Sequence, residues 1–448
     1  MPRARGEKVG TGALRPGPAL IFMLALGGCM GTDGPGVSKF GFGAGMRPDQ
    51  VPGPQLQQAG AERRSAIVDD LVSRRSMLPT SGPYAEVARA VTEANAGVAR
   101  AELRVARLKA EAKAKNWLPK IGPRVSLTDL GAVAASMLIE QAIFDGGARK
   151  AERAWAAADV EVAAATLSAD ANTRVLEGLS HYIRAQRARE QAVLSQQAVA
   201  RMAEYERIIT IRADGGMADR SEQGVIQQKT LELRSQLSTD RFTAEQAMAE
   251  LNAMASRPLD GLSGLQPLPR DPGAPEPVSV VKTRAEATRS LAEADMARAG
   301  YTPGLSATAT IDKDDGLTSG LTLGLQNSLG LGTGAEIAAI NMTGDVVDRR
   351  IARSAEEANR RIVALQHEIA TLEARQAEGA MVLAETEATL QMFTEQFKVG
   401  RRPLMELVGM SETYSGLARN QAGLKYEIAL KRLEIARDRG VLVNGTEL

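Results

Sequence analysis

Residues 362–397 read IVALQHEIATLEARQAEGAMVLAETEATLQMFTEQF and run on through Lys398-Val-Gly400 to Leu404-Met-Glu-Leu407. Ile362, Leu365, Ile369, Leu372, Gln376, Gly379, Leu383, Thr386, Leu390, Phe393 and Phe397 alternate spacings of three and four residues. That is a heptad seam, the pattern of a helix that packs lengthwise on another helix. Beyond Gly400 the same spacing returns at Leu407, Met410, Tyr414, Leu417, Gln421, Leu424 and Ile428. Two heptad helices joined at a glycine break predict an antiparallel coiled-coil hairpin. Ala364, Ala370, Ala374, Ala377 and Ala384 flank the first seam, so a second face could pack against neighbouring hairpins.

Working back from this stretch, the same plan occurs twice. A helical pattern over roughly 84–115 stops near Leu118-Pro119. The runs Arg124–Thr128 and Met137–Phe144 read as strands, and Asp145-Gly-Gly147 opens a helix of about 65 residues. Asp214-Gly-Gly216 breaks that helix, and a further one follows over about 220–255. After a proline-rich stretch at 257–277 come a helix at 278–299 and strand-like runs at Leu305–Ile311 and Leu321–Gln326. Gly330-Leu-Gly-Thr-Gly334 opens a second helix of about 65 residues, broken at Gly400, and a last helix covers about 404–438. Duplicated supersecondary units of this kind must be read before any other feature. The boundaries expected are 1–28 for an export signal, 29–83 for an extended leader, 84–256 and 278–440 for the two repeats, 257–277 for a linker and 441–448 for a tail.

The strand-like runs have the length of a tilted membrane-spanning strand, and their alternation suits one lipid face and one wet face. Four strands cannot close a barrel, and an open edge is not tolerated in lipid. If these strands span a membrane, several chains share the barrel. The fold expected is therefore mainly α, built from duplicated long coiled-coil hairpins, with four β-strands per chain given to a shared transmembrane barrel.

Composition narrows the function. Aromatic residues make up only 3% of the 448 residues, which fits long helices packed through small side chains. Lys and Arg number 55 against 54 Asp and Glu, interspersed, so no basic field exists for nucleic acid. Arg3, Arg5, Lys8 and Arg15 precede a short apolar run at 18–26 that ends in Leu26-Gly-Gly-Cys29, the chain's single cysteine. A basic start and a short apolar run predict a secretory signal. Leu-Gly-Gly-Cys resembles the bacterial lipoprotein box, which makes Cys29 the candidate for acylation and membrane anchoring. No later stretch reaches the length of a membrane-spanning helix.

The residues also resemble the TolC-type outer-membrane factors, over roughly 84–440. The resemblance is carried by Asn116-Trp-Leu-Pro-Lys120 and Gln141-Ala-Ile-Phe-Asp-Gly-Gly-Ala-Arg149 in the first half. More specific is Phe397-Lys-Val-Gly-Arg-Arg-Pro-Leu-Met-Glu-Leu407 in the second, followed by Glu412-Thr-Tyr, Ala418-Arg-Asn-Gln and Leu424-Lys-Tyr. The resemblance implies a homotrimer with a twelve-stranded barrel in outer-membrane lipid and a helical tunnel in the periplasm. It also implies docking to a periplasmic adaptor and to an inner-membrane transporter, of the ABC or proton-driven kind. The Gly-Arg-Arg-x-Leu-x-acid-Leu form looks closest to members serving type I protein secretion, and drug or metal efflux is the other expectation. The first break, Ala213-Asp-Gly-Gly-Met-Ala-Asp219, departs from the family's commoner tip, and Gly409 stands where a second acidic residue would be expected.

These comparisons mark the candidate sites. Arg402 and Glu406 are expected at the periplasmic aperture, where threefold repetition would multiply each charge, with Asp219 as a partner on a neighbouring hairpin. Gly215, Gly216, Gly400 and Arg401 are expected at adaptor-contacting tips. Gly330–Gly334 lies between a strand and a helix, but no βαβ unit follows, so a dinucleotide loop is not expected. His181 and His367 lie far apart in heptad helices, and no metal site, cofactor or catalytic constellation is expected. The rival reading is a lipid-anchored periplasmic adaptor or coiled-coil scaffold, which would carry one hairpin with β-rich domains around it.

Overall fold

The computed structural model describes residues 65–95, 97–128, 132–217, 219–269, 275–312 and 316–447. The signal, most of the leader and Cys29 lie outside the described residues. Helices α1 (Ala66–Ser73), α2 (Pro83–Glu93) and α3 (Val98–Ala114) lead into strands β1 (Lys120–Thr128) and β2 (Ala132–Phe144). Helices α4 (Ala148–Asp214), α5 (Arg220–Met254) and α6 (Val278–Ala299) follow, then β3 (Gly304–Asp312), β4 (Gly316–Gly324), α7 (Thr333–Lys398) and α8 (Leu404–Asp438).

The duplication is metrically tight. Lys120 and Thr128 bound β1 as Gly304 and Asp312 bound β3, and Asp214 and Arg220 flank the first tip as Lys398 and Leu404 flank the second, each pair 184 residues apart. α4 and α7 run for 67 and 66 residues, roughly 100 Å each at the α-helical rise. Every expected seam position of α7 is buried or half-buried, and Ala364, Ala370, Ala374, Ala377 and Ala384 are exposed. The seam faces α8, and α8 also packs on α4, which in turn carries α3, α5 and α6. Among the described residues, no helix is long and apolar enough to cross a membrane.

The two hairpins join into one antiparallel sheet in the order β1-β2-β3-β4. Its register sorts the side chains, because directly paired residues point to the same side. Ile121 pairs with Ile139, Met137 with Ile311, Leu305 with Leu323, and Ala307 with Leu321. One face therefore holds Ile121, Val125, Met137, Ile139, Leu305, Ile311, Leu317, Leu321 and Leu323, with Gln141 and Ser319 among them. The other face holds Lys120, Arg124, Ser136, Glu140, Ser306, Thr308, Thr310, Thr318 and Thr322, with Leu138 and Ala142 as its apolar members. A bulge between Ala142 and Phe144 moves Phe144 by one position so that it pairs with Leu305 on the apolar side. Outer strands β1 and β4 each keep an unpaired edge.

Three stretches differ from the sequence reading. The helix expected over 84–115 divides into α2 and α3, because Gly97 takes φ 70° and its amide is capped by Asn95 at 3.1 Å. The leader ends in structure rather than extended chain: α1 follows Ser65, whose hydroxyl accepts from the Ile67 amide. Residues 257–269 and 441–443 are packed, with Leu259, Leu268, Val441, Leu442 and Val443 joining Tyr84, Leu179, Tyr182 and Leu433 in the main core. The Tyr182 hydroxyl donates to the Gly264 carbonyl at 2.7 Å, and its burial pushes its pKa up to about 12. Buried Asn172 accepts from the Leu442 amide at 2.8 Å. These strips pack against the middle of α4 and the far ends of α5 and α8.

Candidate functional site

Far from the sheet, the two long helices end in the same way. Gly216 takes φ 70°, its amide donates to the Ala213 carbonyl, and Met217 donates to Arg212. Gly400 takes φ 75°, its amide donates to Phe397, and Arg401 donates to Gln396. Both are the paired bonds of a Schellman stop, in which a left-handed glycine lets the chain leave the helix with its last carbonyls satisfied. The next helix begins four residues later in both cases, at Arg220 and Leu404.

One apolar cluster ties the ends together. Met202, Tyr205 and Ile209 of α4 and Ile226 of α5 pack with Leu390 and Phe397 of α7 and with Leu404, Leu407 and Val408 of α8. The four helices therefore meet near the tips.

Arg402 is anchored on three sides. Its Nη1 donates to Glu406 Oε2 at 2.5 Å, its Nε donates to Gln396 Oε1 at 2.9 Å, and its guanidinium lies 3.6 Å from the centroid of the Phe393 ring. Arg212 stacks similarly on Phe397, at 4.6 Å. The side chain of Arg402 is 27% exposed and that of Glu406 is 53% exposed, so the pair is presented to water with its geometry fixed by the aromatic platform. Arg401, next to it, is exposed.

Asp219 occupies a different role within the chain. It is the N-cap of α5, and its Oδ1 accepts from the Ser221 amide at 3.0 Å. That backbone hydrogen bond, helped by the Ser221 side chain, holds its carboxyl below the usual range. Pro403 stands at the corresponding place in the second tip. The sequence held the signal, since Asp219-Arg-Ser-Glu222 has the spacing of a capping box.

Sequence reading missed the buried centre above the tips. Asp240 of α5 accepts from Arg419 of α8, with Nη2–Oδ1 at 2.9 Å, and from the Ser195 hydroxyl of α4 at 2.7 Å. Gln236 adds a contact at 3.1 Å. Burial raises the pKa of Asp240, but Arg419, Ser195 and Gln236 outweigh it and hold the carboxyl below its usual range. This group clamps three helices, and no heptad position announces it. Among the described residues, no cluster of His, Cys, Asp and Glu could hold a metal ion.

The sheet, the duplicated hairpins with their 100 Å helices and the paired tips define the TolC-type channel fold. The chain superposes on a Pseudomonas aeruginosa membrane protein with a TM-score of 0.70 at 15% identity, over 85% of this chain and 94% of that one. The Campylobacter jejuni CmeC outer membrane channel gives 0.66 at 12% identity, over 85% and 86%. The open state of the Neisseria gonorrhoeae MtrE outer membrane channel gives 0.66 at 13% identity, over 82% and 91%. No family model and no curated protein matches the sequence.

Proposed function

We propose that this chain is a subunit of an outer-membrane channel, the passive exit duct of a tripartite export system. The observation that carries the reading is the sheet. A four-stranded sheet with an exposed apolar face, a polar face and two open edges is satisfied in lipid only as part of a closed barrel. Three copies would give the twelve strands that the family resemblance implies, and the helices that continue from them would extend the duct through the periplasm. The relatives named above are membrane proteins or outer membrane channels by their own descriptions, and their fold is this one.

The remaining roles follow from placement. The Gly215-Gly216 and Gly400-Arg401 tips would meet the helical hairpins of a periplasmic adaptor, which links the duct to an ABC or proton-driven inner-membrane transporter. Cys29 would be acylated and anchor the mature chain in the outer membrane. Arg402 and Glu406 would set the aperture, with exposed Asp219 as a partner on a neighbouring hairpin. The second tip's resemblance to type I secretion members favours protein cargo over small-molecule efflux.

Single-channel recording in planar bilayers tests the reading. The purified protein should give discrete ion-conducting steps, and Arg402→Ser should raise the conductance or shift the ion selectivity. Steps that Arg402→Ser leaves unchanged in both would remove the aperture role. A wild-type protein that never conducts would remove the channel.

A further inference from the structure

We propose that the junction of α3, β1, β2 and α4 binds an anionic phospholipid of the periplasmic leaflet, one per copy. Its phosphodiester lies against Lys115 and Lys150, and one acyl chain follows a groove on the apolar face of the sheet. This rests on the shared-barrel reading and adds to it a lipid selected by charge.

The repeat supplies the comparison, because two junctions of one plan differ in one property. Both expose apolar side chains where strands meet helices, the level at which a spanning strand reaches the headgroups. Trp117 and Phe144 are each 60% exposed at the first junction, and Leu329 is 64% exposed at the second. Charge separates the two. Residues 113–120 and 145–153 hold six basic and two acidic residues. The counterpart stretches 297–304 and 329–337 hold one of each, Arg298 and Glu336. Either composition serves a junction that meets only hydrocarbon, whereas a cluster of cations at this depth selects an anionic headgroup.

Pairing within the chain leaves part of that charge over. Lys113 holds Glu152, Arg149 lies 3.6 Å from Asp145, and Lys120 belongs to the polar face of the sheet. Arg153 donates to the neutral Asn116 Oδ1 at 2.7 Å. Exposed Lys150 has no ion pair among the described residues. Lys115, 64% exposed, leans on Glu111 of its own helix at 3.1 Å, and a surface pair of that kind holds its lysine weakly. A net negative headgroup is drawn to these two ammonium groups, whereas a headgroup that ends in its own ammonium brings a like charge back to them.

The sheet gives the acyl chain a place. A groove of about 480 Å³ lies over two rows of the register, Gln141–Ala307–Leu321 and Ile139–Ala309–Ser319, all on the apolar face. Ala307, Ala309 and Ser319 are small, so the floor sinks between Ile139 and Gln141 on one side and Leu321 on the other. Gln141 Nε2 donates to the Trp117 carbonyl at 2.8 Å, which ties one end of the groove to the junction that carries the cations. Charge and hollow thus adjoin, as the two parts of a phospholipid do.

The test is native mass spectrometry of the full chain in detergent, with phosphatidylglycerol or phosphatidylethanolamine of identical acyl chains added. The wild-type protein should retain phosphatidylglycerol, one per copy, and several-fold less phosphatidylethanolamine. Lys115→Gln with Lys150→Gln should lower phosphatidylglycerol retention roughly tenfold and leave phosphatidylethanolamine where it was. Arg298→Gln, at the second junction, should change neither. Ala309→Leu fills the groove and should lower the retention of both lipids. Equal retention of the two lipids by the wild-type protein, or a double variant that holds phosphatidylglycerol like the wild type, would overturn the headgroup site. So would an Arg298→Gln variant as impaired as the double one, since net charge alone would then explain the loss. Retention indifferent to Ala309→Leu would overturn the groove. A wild-type protein that floats with vesicles of neither lipid would overturn the membrane reading beneath the proposal.

Discussion

α4 and α7 are counterparts of nearly equal length, yet 21 residues of α4 are buried and only 6 of α7. α4 is enclosed by α3, α5, α6 and α8, whereas among the described residues α7 packs along its length on α6 and α8 and meets α4 near the tip. The sequence does not excuse the difference: α7 carries Met342, Val346, Val363, Met381, Val382 and Met392 in the open. Two helices drawn from one plan should meet similar surroundings, and in the proposed assembly other copies would give α7 the neighbours it lacks.

Mutations at matched positions can break this comparison. The largest effect is expected at the clamp that belongs to the enclosed side. Asp240→Ala would leave the half-buried Arg419 guanidinium without its carboxylate, a change that costs up to about 3–5 kcal/mol where such a pair is buried, and thermal or denaturant unfolding should show it. Next comes Leu179, fully buried on α4, against Val363, its exposed counterpart on α7. Leu179→Ala should lose roughly 2–5 kcal/mol by cavity formation. Val363→Ala should stay within about 0.5 kcal/mol in isolated monomers. Equal losses at both would mean that the two helices are not in different surroundings.

The glycine stops should behave alike in both repeats. Gly216→Ala and Gly400→Ala each force a side chain into the left-handed region, at about 1–2 kcal/mol apiece, measurable by the same melts. The caps should not behave alike. Asp219→Ala removes the bond to Ser221 and should lower the melting temperature by a small, measurable amount, while Pro403, which caps with no side-chain bond, has none to lose.

The acid dependence carries a sign. Asp240 has its folded pKa below the unfolded value, so its contribution to stability is complete above about pH 4, the unfolded aspartate value. It is lost as pH falls below that and through the folded pKa. Asp240→Asn should flatten the unfolding free energy across that acid window, and an unchanged slope would show that other carboxylates dominate it.

How much of this was legible depends on periodicity. The seam from Ile362 to Phe397, the stops at Gly216 and Gly400 and the strand alternation are local, repeating signals, and they place most elements. The packing of residues 257–269 and 441–443 was not legible, because Leu259, Leu268 and Leu442 are isolated apolar residues in irregular chain whose partners lie on distant helices. The split at Gly97 hid inside an alanine-rich run that reads as continuous helix. Asp240 and Arg419 read as solvated charges on amphipathic helices, and only the packing of α4, α5 and α8 buries Asp240 and half-buries Arg419. At the tip, the Arg402–Glu406 pair follows from an i, i+4 spacing, while the Phe393 platform behind it needs the turn at Gly400 to be folded.

The measurement closest to the central claim is the native mass of the full-length protein released from detergent micelles. The account predicts an assembly of three copies, which would supply α7 with the neighbours it lacks. A protein that stays a single copy under all mild conditions, with its helix content intact, would contradict it.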